Sequence, residues 1–165
     1  MKKIDATLVF PGLYQGSWPP PGHLLAEAGF RTLVLCAREF QPPHVMPPGM
    51  DALVGLRAAN PFPRVKVIYA PNDDFVHVPP ERADLAQALR AAREVAASLK
   101  LGRKVLVTCW QGRNRSGLVS ALAIHMVTGC SGFHATRIVQ KARKRALTNP
   151  QFTEVLSRLQ DSGPR

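Results

Sequence analysis

The sequence has few cysteines, and their arrangement is not typical of a disulfide framework or a zinc site. Only three occur, Cys36, Cys109 and Cys130, and no two of them form a C-x-x-C pair. An odd number of widely spaced cysteines excludes the pattern of a disulfide-rich secreted miniprotein. The five histidines also lack the spacing of metal ligands. We therefore predict no metal and no other cofactor.

Long apolar runs are lacking as well. The longest, residues 118–127, is interrupted by Ser120 and His125, and it is shorter than the about 20 residues that span a bilayer. After the first three residues the chain continues Ile-Asp-Ala-Thr, without the apolar segment of a secretory signal peptide. We expect a cytoplasmic protein without stable insertion into a membrane.

Acidic residues are scarce relative to basic ones. The sequence has 11 Asp and Glu against 22 Lys and Arg, so its formal net charge is +11. Such a charge favours an anionic partner, such as phosphorylated protein, RNA or a lipid surface, without selecting one. The apolar share of 45% is ordinary for a globular protein, and 165 residues fit a single domain over residues 1–165. The oligomeric state is left open.

Prolines are nearly missing from the second half of the chain. Most of the 15 precede Glu81, which predicts strands and irregular loops first and mostly helices afterwards. The proline-rich segment 41–63 is predicted to be a long surface loop.

Three short apolar runs have the length and the β-branched content of buried strands. They cover residues 32–36, 65–69 and 104–108. Apolar residues at helical spacing predict one helix between Pro80 and Gly102, a second from about Ser116, a third over 134–145 and a fourth around 152–159. The sequence thus predicts an α/β fold in which helices flank a central, mostly parallel sheet.

The most informative segment, residues 107–117, reads VTCWQGRNRSG and separates Cys109 from Arg115 by five residues. A tight loop between a strand and a helix turns successive backbone N–H groups toward one point, and the helix adds its positive end. A tetrahedral dianion fits such a site, with Gly112 supplying the unusual backbone angles. The predicted phosphate-binding residues are Trp110, Gln111, Gly112, Arg113, Asn114 and Arg115.

The side chains of this loop suggest covalent chemistry. The planar guanidinium of Arg115 can hold two phosphate oxygens at once, which Lys cannot do. The same positive field stabilises a thiolate at Cys109, which is the nucleophilic form. Ser116 can donate its hydroxyl to that sulfur when it leaves. Trp110 could line the pocket or pack over the sheet, and the sequence leaves both open.

This segment resembles the loop of cysteine-dependent protein phosphatases, most closely the dual-specificity subclass, which reads His-Cys-x5-Arg-Ser or Thr. Residues 9–17 and 149–152 resemble the family more weakly. The resemblance implies a dual-specificity phosphatase-like fold, attack of the thiolate on phosphorus, a phosphocysteine intermediate and its hydrolysis by water without a metal. The sequence departs from the family at Thr108, where the hydroxyl could bond a neighbouring backbone group instead.

The resemblance also implies a general acid, an Asp on a separate loop that protonates the leaving oxygen. That loop follows the strand before the long helix and here carries Asp73 and Asp74. We favour Asp74 because Pro71 stands three residues before it and Phe75 directly follows it, as in acid loops of the superfamily. Asp73 remains the alternative acid.

The resulting hypothesis is a phosphoprotein phosphatase that acts on phosphotyrosine, with phosphoserine and phosphothreonine left open. One alternative is an RNA 5′-triphosphatase or phosphatase, because Asn114 before Arg115 is similar to RNA triphosphatases with the same loop and the charge suits a polyanion. Another is a non-catalytic phosphate-binding module. The stretch around Cys36 resembles lipid-phosphatase relatives that keep a partner cysteine beneath the loop, which implies a reversible disulfide between Cys36 and Cys109. The alternative is that Cys36 is a plain buried thiol, and the sequence leaves both open.

Overall fold

The computed structural model describes residues 4–20, 22–41 and 64–163. Apart from Gln41, the predicted surface loop over 41–63 lies outside the described residues. None of the helices in the described ranges is long and apolar enough to cross a membrane.

The described residues contain five strands that form one sheet. The strands are β1 (Thr7–Phe10), β2 (Leu13–Gly16), β3 (Phe30–Ala37), β4 (Lys66–Asn72) and β5 (Lys104–Thr108). Their order in the sheet is β1-β2-β5-β3-β4. The first two strands pair antiparallel, whereas every other neighbouring pair is parallel, so the predicted mostly parallel sheet is confirmed.

Helices pack on this sheet and on one another, so the predicted α/β class is also confirmed. They are α1 (Gly22–Glu27), α2 (Arg82–Lys100), α3 (Arg115–Thr128), α4 (Gly132–Ala142) and α5 (Pro150–Ser157), with a 3-10 turn at Arg38–Phe40. Helices α2 and α3 contact each other and the strands, and α4 and α5 pack against α3. The apolar run in α3 is buried from Leu118 to Ile124, as expected of a core helix.

The helix predicted over 134–145 begins and ends earlier in the structure. Its start is fixed by Ser131, whose side chain accepts a hydrogen bond from the backbone N–H of His134. It ends before Arg143, whose guanidinium reaches β1 and binds Asp5 at 2.8 Å and Thr7 at 2.9 Å. This hydrogen bonding by Arg143 holds the pKa of Asp5 well below its usual range.

The sheet brings the ends of three parallel strands together. Leu35 is in register with Thr108, and Ala37 is in register with Asn72. The segments that follow β3, β4 and β5 therefore meet at one edge, the carboxyl end of the sheet. Ligands commonly bind at this edge in open α/β sheets.

Candidate active site

The loop after β5 is shaped by a close approach to β2. Gly112 has a φ of +63°, as the sequence predicted, and this angle disfavours a side chain. A Cβ atom at this position would also lie 2.4 Å from the backbone carbon of Gly16. Both the angle and the contact therefore require glycine at position 112.

The carbonyl groups of this loop are held from outside. Buried Gln15 donates its amide to the carbonyl oxygens of Gly112 at 3.1 Å and Arg113 at 3.3 Å. Arg143 donates to the carbonyl oxygen of Gln111 at 3.3 Å. In a trans peptide the N–H points opposite to the C=O of the preceding residue. The backbone N–H groups of residues 112, 113 and 114 therefore point away from the side chains of Gln15 and Arg143. The side chains of Gln15 and Arg143 thus set the direction of the loop amides.

Within residues 4–20, 22–41 and 64–163, no backbone N–H from Trp110 to Arg115 donates a hydrogen bond. Helix α3 begins at Arg115 and directs its positive end toward the same loop. The arrangement is that of an anion site made of backbone donors.

Cys109 lies at the start of this loop and is buried. Its Sγ atom is 3.2 Å from Oγ of Ser116, so the hydroxyl can donate to the sulfur, as the sequence predicted. The preceding Thr108 donates its hydroxyl to the carbonyl oxygen of Val34 at 3.0 Å. The residue that stands in place of the family's His therefore bonds the neighbouring strand, as anticipated.

Arg115 is buried and oriented by two strand ends. Its Nη1 atom donates to Oε2 of Glu39 at 2.9 Å and to the carbonyl oxygen of Asn72 at 3.3 Å. Its buried Nε atom donates to no described residue. One side of the guanidinium is thus fixed by the protein, while the other retains a donor for an anion. Glu39 was missed at the sequence level because its contact depends on the pairing of β3 with its neighbours.

The two candidate acids have different surroundings. Asp74 accepts hydrogen bonds from the side-chain amides of Asn114 at 3.1 Å and Asn149 at 2.7 Å. Asp73 instead accepts from Arg38 at 3.2 Å, and its backbone N–H donates to the carboxylate of Asp84. Residues 109–115 are called the phosphate loop. The carboxylate of Asp74 is hydrogen-bonded to this loop through Asn114, whereas that of Asp73 belongs to an ion-pair network with Arg38 beside α2.

The side chain of Asn114 has a structural role that the sequence did not reveal. Its Oδ1 atom accepts hydrogen bonds from the backbone N–H groups of Thr148 at 2.8 Å and Asn149 at 3.1 Å, while its amide donates to Asp74. The side chain of Asn114 thus connects the phosphate loop to Asp74, in the loop after β4, and to the start of α5. By contrast, no described residue hydrogen-bonds the side chain of Arg113.

Trp110 packs among aromatic side chains. Its ring is stacked on Phe40 with centroids 5.8 Å apart and lies 4.7 Å from the ring of Trp18. Of the two roles left open for Trp110, these contacts favour packing.

Cys36 is the second-last residue of β3, one residue beyond the registered pair Leu35 and Thr108, and its thiol interacts electrostatically with Cys109. Adjacent strands are about 4.8 Å apart, within the Cα separation of a disulfide. Burial raises the pKa of the Cys36 thiol, Cys109 raises it further and Arg115 partly opposes the change. Cys36 is therefore held as a protonated thiol next to the candidate nucleophile.

Mild peroxide is expected to form a reversible disulfide between Cys36 and Cys109. Peroxide oxidises the Cys109 thiolate to a sulfenic acid. The Cys36 thiol then attacks the sulfenic sulfur, so that the S–S bond forms, the S–O bond breaks, and the departing hydroxyl takes the thiol proton and leaves as water. Non-reducing peptide mass spectrometry should detect the pair, and a thiol reductant should restore both cysteines. Cys36→Ala should instead accumulate sulfinic Cys109, while Cys130→Ala should behave like wild type. Sulfinic or sulfonic Cys109 beside unmodified Cys36 in the wild-type chain would disprove the pairing.

The part of the chain that the structure describes has no group of three or more His, Cys, Asp or Glu side chains that could hold a metal ion.

Comparison with solved structures identifies the fold. Human DUSP28 is 25% identical over 92% of this chain and 90% of its own, with a TM-score of 0.67. Tk-PTP in its active form is 23% identical over 96% and 97%, with a TM-score of 0.65. PTPMT1 in complex with PI(5)P is 18% identical over 93% and 92%, with a TM-score of 0.67. No family model and no curated protein sequence matches the chain.

The chain therefore has the fold of the dual-specificity phosphatases, a class of cysteine-dependent phosphatases. The resemblance first seen in residues 107–117 is confirmed at the level of the fold, and it extends over nearly the whole chain.

Proposed function

We propose that this chain is a phosphoprotein phosphatase that hydrolyses phosphotyrosine through a phosphocysteine intermediate. The observation that carries the proposal is the convergence of Cys109, Arg115 and Asp74 on one loop whose backbone N–H groups donate to no described residue. Asp74 follows β4, Cys109 follows β5 and Arg115 begins α3, and all three lie at the carboxyl end of the sheet. A bound phosphate monoester would contact the nucleophile Cys109, the guanidinium of Arg115 and the acid Asp74 at the same time.

In the first step the Cys109 thiolate attacks phosphorus, and the bond from phosphorus to the leaving oxygen breaks. Asp74 gives its proton to that oxygen, so an alcohol leaves rather than an alkoxide. Arg115 and the loop N–H groups hold the three equatorial oxygens, whose charge is spread in the transition state. Asn114 and Asn149 position the Asp74 carboxyl for this transfer.

In the second step water attacks the phosphocysteine. Asp74, now a carboxylate, accepts a proton from the water, and the sulfur–phosphorus bond breaks to return the Cys109 thiolate. The hydroxyl of Ser116, 3.2 Å from the sulfur, stabilises the departing thiolate by hydrogen bonding.

A substrate panel tests the assignment to phosphoproteins. It compares a phosphotyrosine peptide, a phosphothreonine peptide, a phosphoinositide and an RNA 5′-triphosphate, each with and without a chelator. We expect the highest kcat/KM for the phosphotyrosine peptide and no effect of the chelator. Preferred turnover of RNA would replace phosphoprotein with the RNA alternative, and loss of activity in chelator would contradict the metal-free mechanism.

Asp74→Asn is expected to lower turnover of a phosphotyrosine peptide by about 10²- to 10³-fold, the scale of positioned acid catalysis. An activated aryl phosphate should suffer much less, because its leaving group needs no proton. These effects are measured as kcat for both substrates.

Asp73→Asn is the matched variant, since it makes the same change one residue away. Its carboxylate bonds Arg38 rather than the phosphate loop, so the leaving-group dependence should stay as in wild type. If Asp73→Asn produced that dependence instead, the acid would be Asp73. If neither variant did, the chain would fit a phosphate-binding module better than a phosphatase.

A further inference from the structure

The loop between Asp74 and α2 carries exposed apolar side chains. Phe75 is 64% exposed, Val76 42% and Val78 58%. Clustered apolar side chains at a protein surface commonly mark a site of interaction. These three residues are called the apolar tip.

A basic segment lies on another side of the phosphate loop. Lys144 and Arg145 are exposed in the turn between α4 and α5, and they are called the basic turn. The adjacent Arg143 donates to the carbonyl oxygen of Gln111, so the turn lies beside the loop. Within the described ranges, the side chains of Lys144 and Arg145 form no ion pair.

The segment between the basic turn and α5 connects these two features. The backbone N–H of Leu147 donates to the carbonyl oxygen of Arg113 at 3.2 Å. Further along, Asn149 donates to the carbonyl oxygen of Phe75 at 3.2 Å, and Gln151 donates to that of Val76 at 3.3 Å. The apolar tip and the basic turn thus lie at the same end of the sheet, next to the phosphate loop.

We infer that this end of the protein docks on an anionic lipid bilayer, with the apolar tip in the interfacial region and the basic turn on the anionic headgroups. Apolar and basic groups side by side are the two elements of peripheral membrane binding. The net charge of +11 adds long-range attraction to such a surface. An RNA would use the basic turn but leave the apolar tip in water, whereas a bilayer uses both.

Sedimentation with lipid vesicles tests the docking. The full chain is mixed with vesicles of phosphatidylcholine alone or with about one third phosphatidylserine. We expect binding to the anionic vesicles only. The double variant Phe75→Ser with Val78→Ser should bind about ten-fold or more weakly, because it removes the apolar contribution. Lys144→Glu with Arg145→Glu should also lose about ten-fold or more, because each basic residue contributes about five-fold.

The opposite end of the sheet offers matched controls. Leu101 is 67% exposed, and it lies between the exposed residues Lys100 and Arg103 at the amino end of β5. Leu101→Ser and the pair Lys100→Glu with Arg103→Glu repeat the same chemical changes away from the site. These control variants should bind anionic vesicles much more tightly than the variants of the apolar tip and of the basic turn.

Three results would overturn the docking. The first is no binding to anionic vesicles, and the second is equal weakening by the variants at both ends, which would reflect net charge alone. The third is a protein that binds no vesicles but binds RNA or a phosphopeptide, with that binding weakened by the variants of the apolar tip and the basic turn. This result would assign the surface to the RNA or the phosphopeptide.

The inference is separable from the proposed function. Turnover of a soluble aryl phosphate reports on catalysis, and sedimentation of Cys109→Ser reports on docking without turnover. Catalysis without vesicle binding would overturn the docking alone. Vesicle binding without catalysis would overturn the phosphatase proposal alone.

Discussion

Cys109→Ser is expected to abolish turnover while binding of a phosphate mimic such as vanadate or tungstate persists. The change removes the thiolate, and loss of a catalytic nucleophile typically costs about 10⁴-fold or more in kcat. It leaves Arg115 and the loop N–H groups in place, and these supply the hydrogen bonds to the anion. Steady-state hydrolysis of a phosphotyrosine peptide and calorimetric binding of tungstate measure the two effects.

Cys130→Ser is the control for this variant, because it makes the same change at a cysteine that is not at the loop. Its turnover should equal that of wild type. Wild-type turnover by Cys109→Ser would refute covalent catalysis at this residue, and loss of tungstate binding together with turnover would show that the loop itself had collapsed.

Arg115→Lys should weaken binding of the phosphate mimic and lower kcat by about 10²- to 10³-fold, the scale for losing one donor to a developing anion. An ammonium group cannot reproduce two parallel hydrogen bonds to phosphate. The buried guanidinium also bonds Glu39 and Asn72, so its orientation is set before the substrate arrives. Inhibition by vanadate and the kcat of a phosphotyrosine peptide measure the loss.

Arg158→Lys is a matched substitution at an exposed arginine that pairs with Glu154 on α5. It should change neither vanadate inhibition nor kcat. If Arg115→Lys kept the vanadate affinity of wild type, the assignment of Arg115 as the residue that binds two phosphate oxygens would be wrong.

Much of the fold could be predicted because β3, β4, β5 and the long helices have strong local patterns, whereas the four-residue strands β1 and β2 were not predicted from such patterns. The apolar run at 104–108 became β5 with the same bounds, and the spacing between Pro80 and Gly102 gave α2. The short helix α1 was not predicted, since six residues contain too few turns for a periodic signal.

The site was predictable where its residues are close in sequence. Cys109, Gly112 and Arg115 share one loop, and local rules suffice to read it. Glu39, in the 3-10 turn after β3, and Gln15, in β2, bond this segment from other parts of the chain. Their contacts follow from strand order and register, which no local pattern encodes.

The choice between the two aspartates shows the same limit. Asp73 and Asp74 differ by one position, and only a resemblance favoured the second at the level of sequence. The structure adds the physical difference, because Asp74 bonds Asn114 and Asn149 while Asp73 bonds Arg38.

Direct detection of a phosphorylated cysteine tests the central claim, that this chain hydrolyses phosphate monoesters through Cys109. The measurement is peptide mass spectrometry after rapid denaturing quench of the full chain during turnover of a phosphotyrosine peptide. The mechanism predicts a phosphate on the peptide that contains Cys109, absent from Cys109→Ser, and appearing no later than the first released phosphate. Steady release of phosphate with Cys109 unmodified throughout would contradict it.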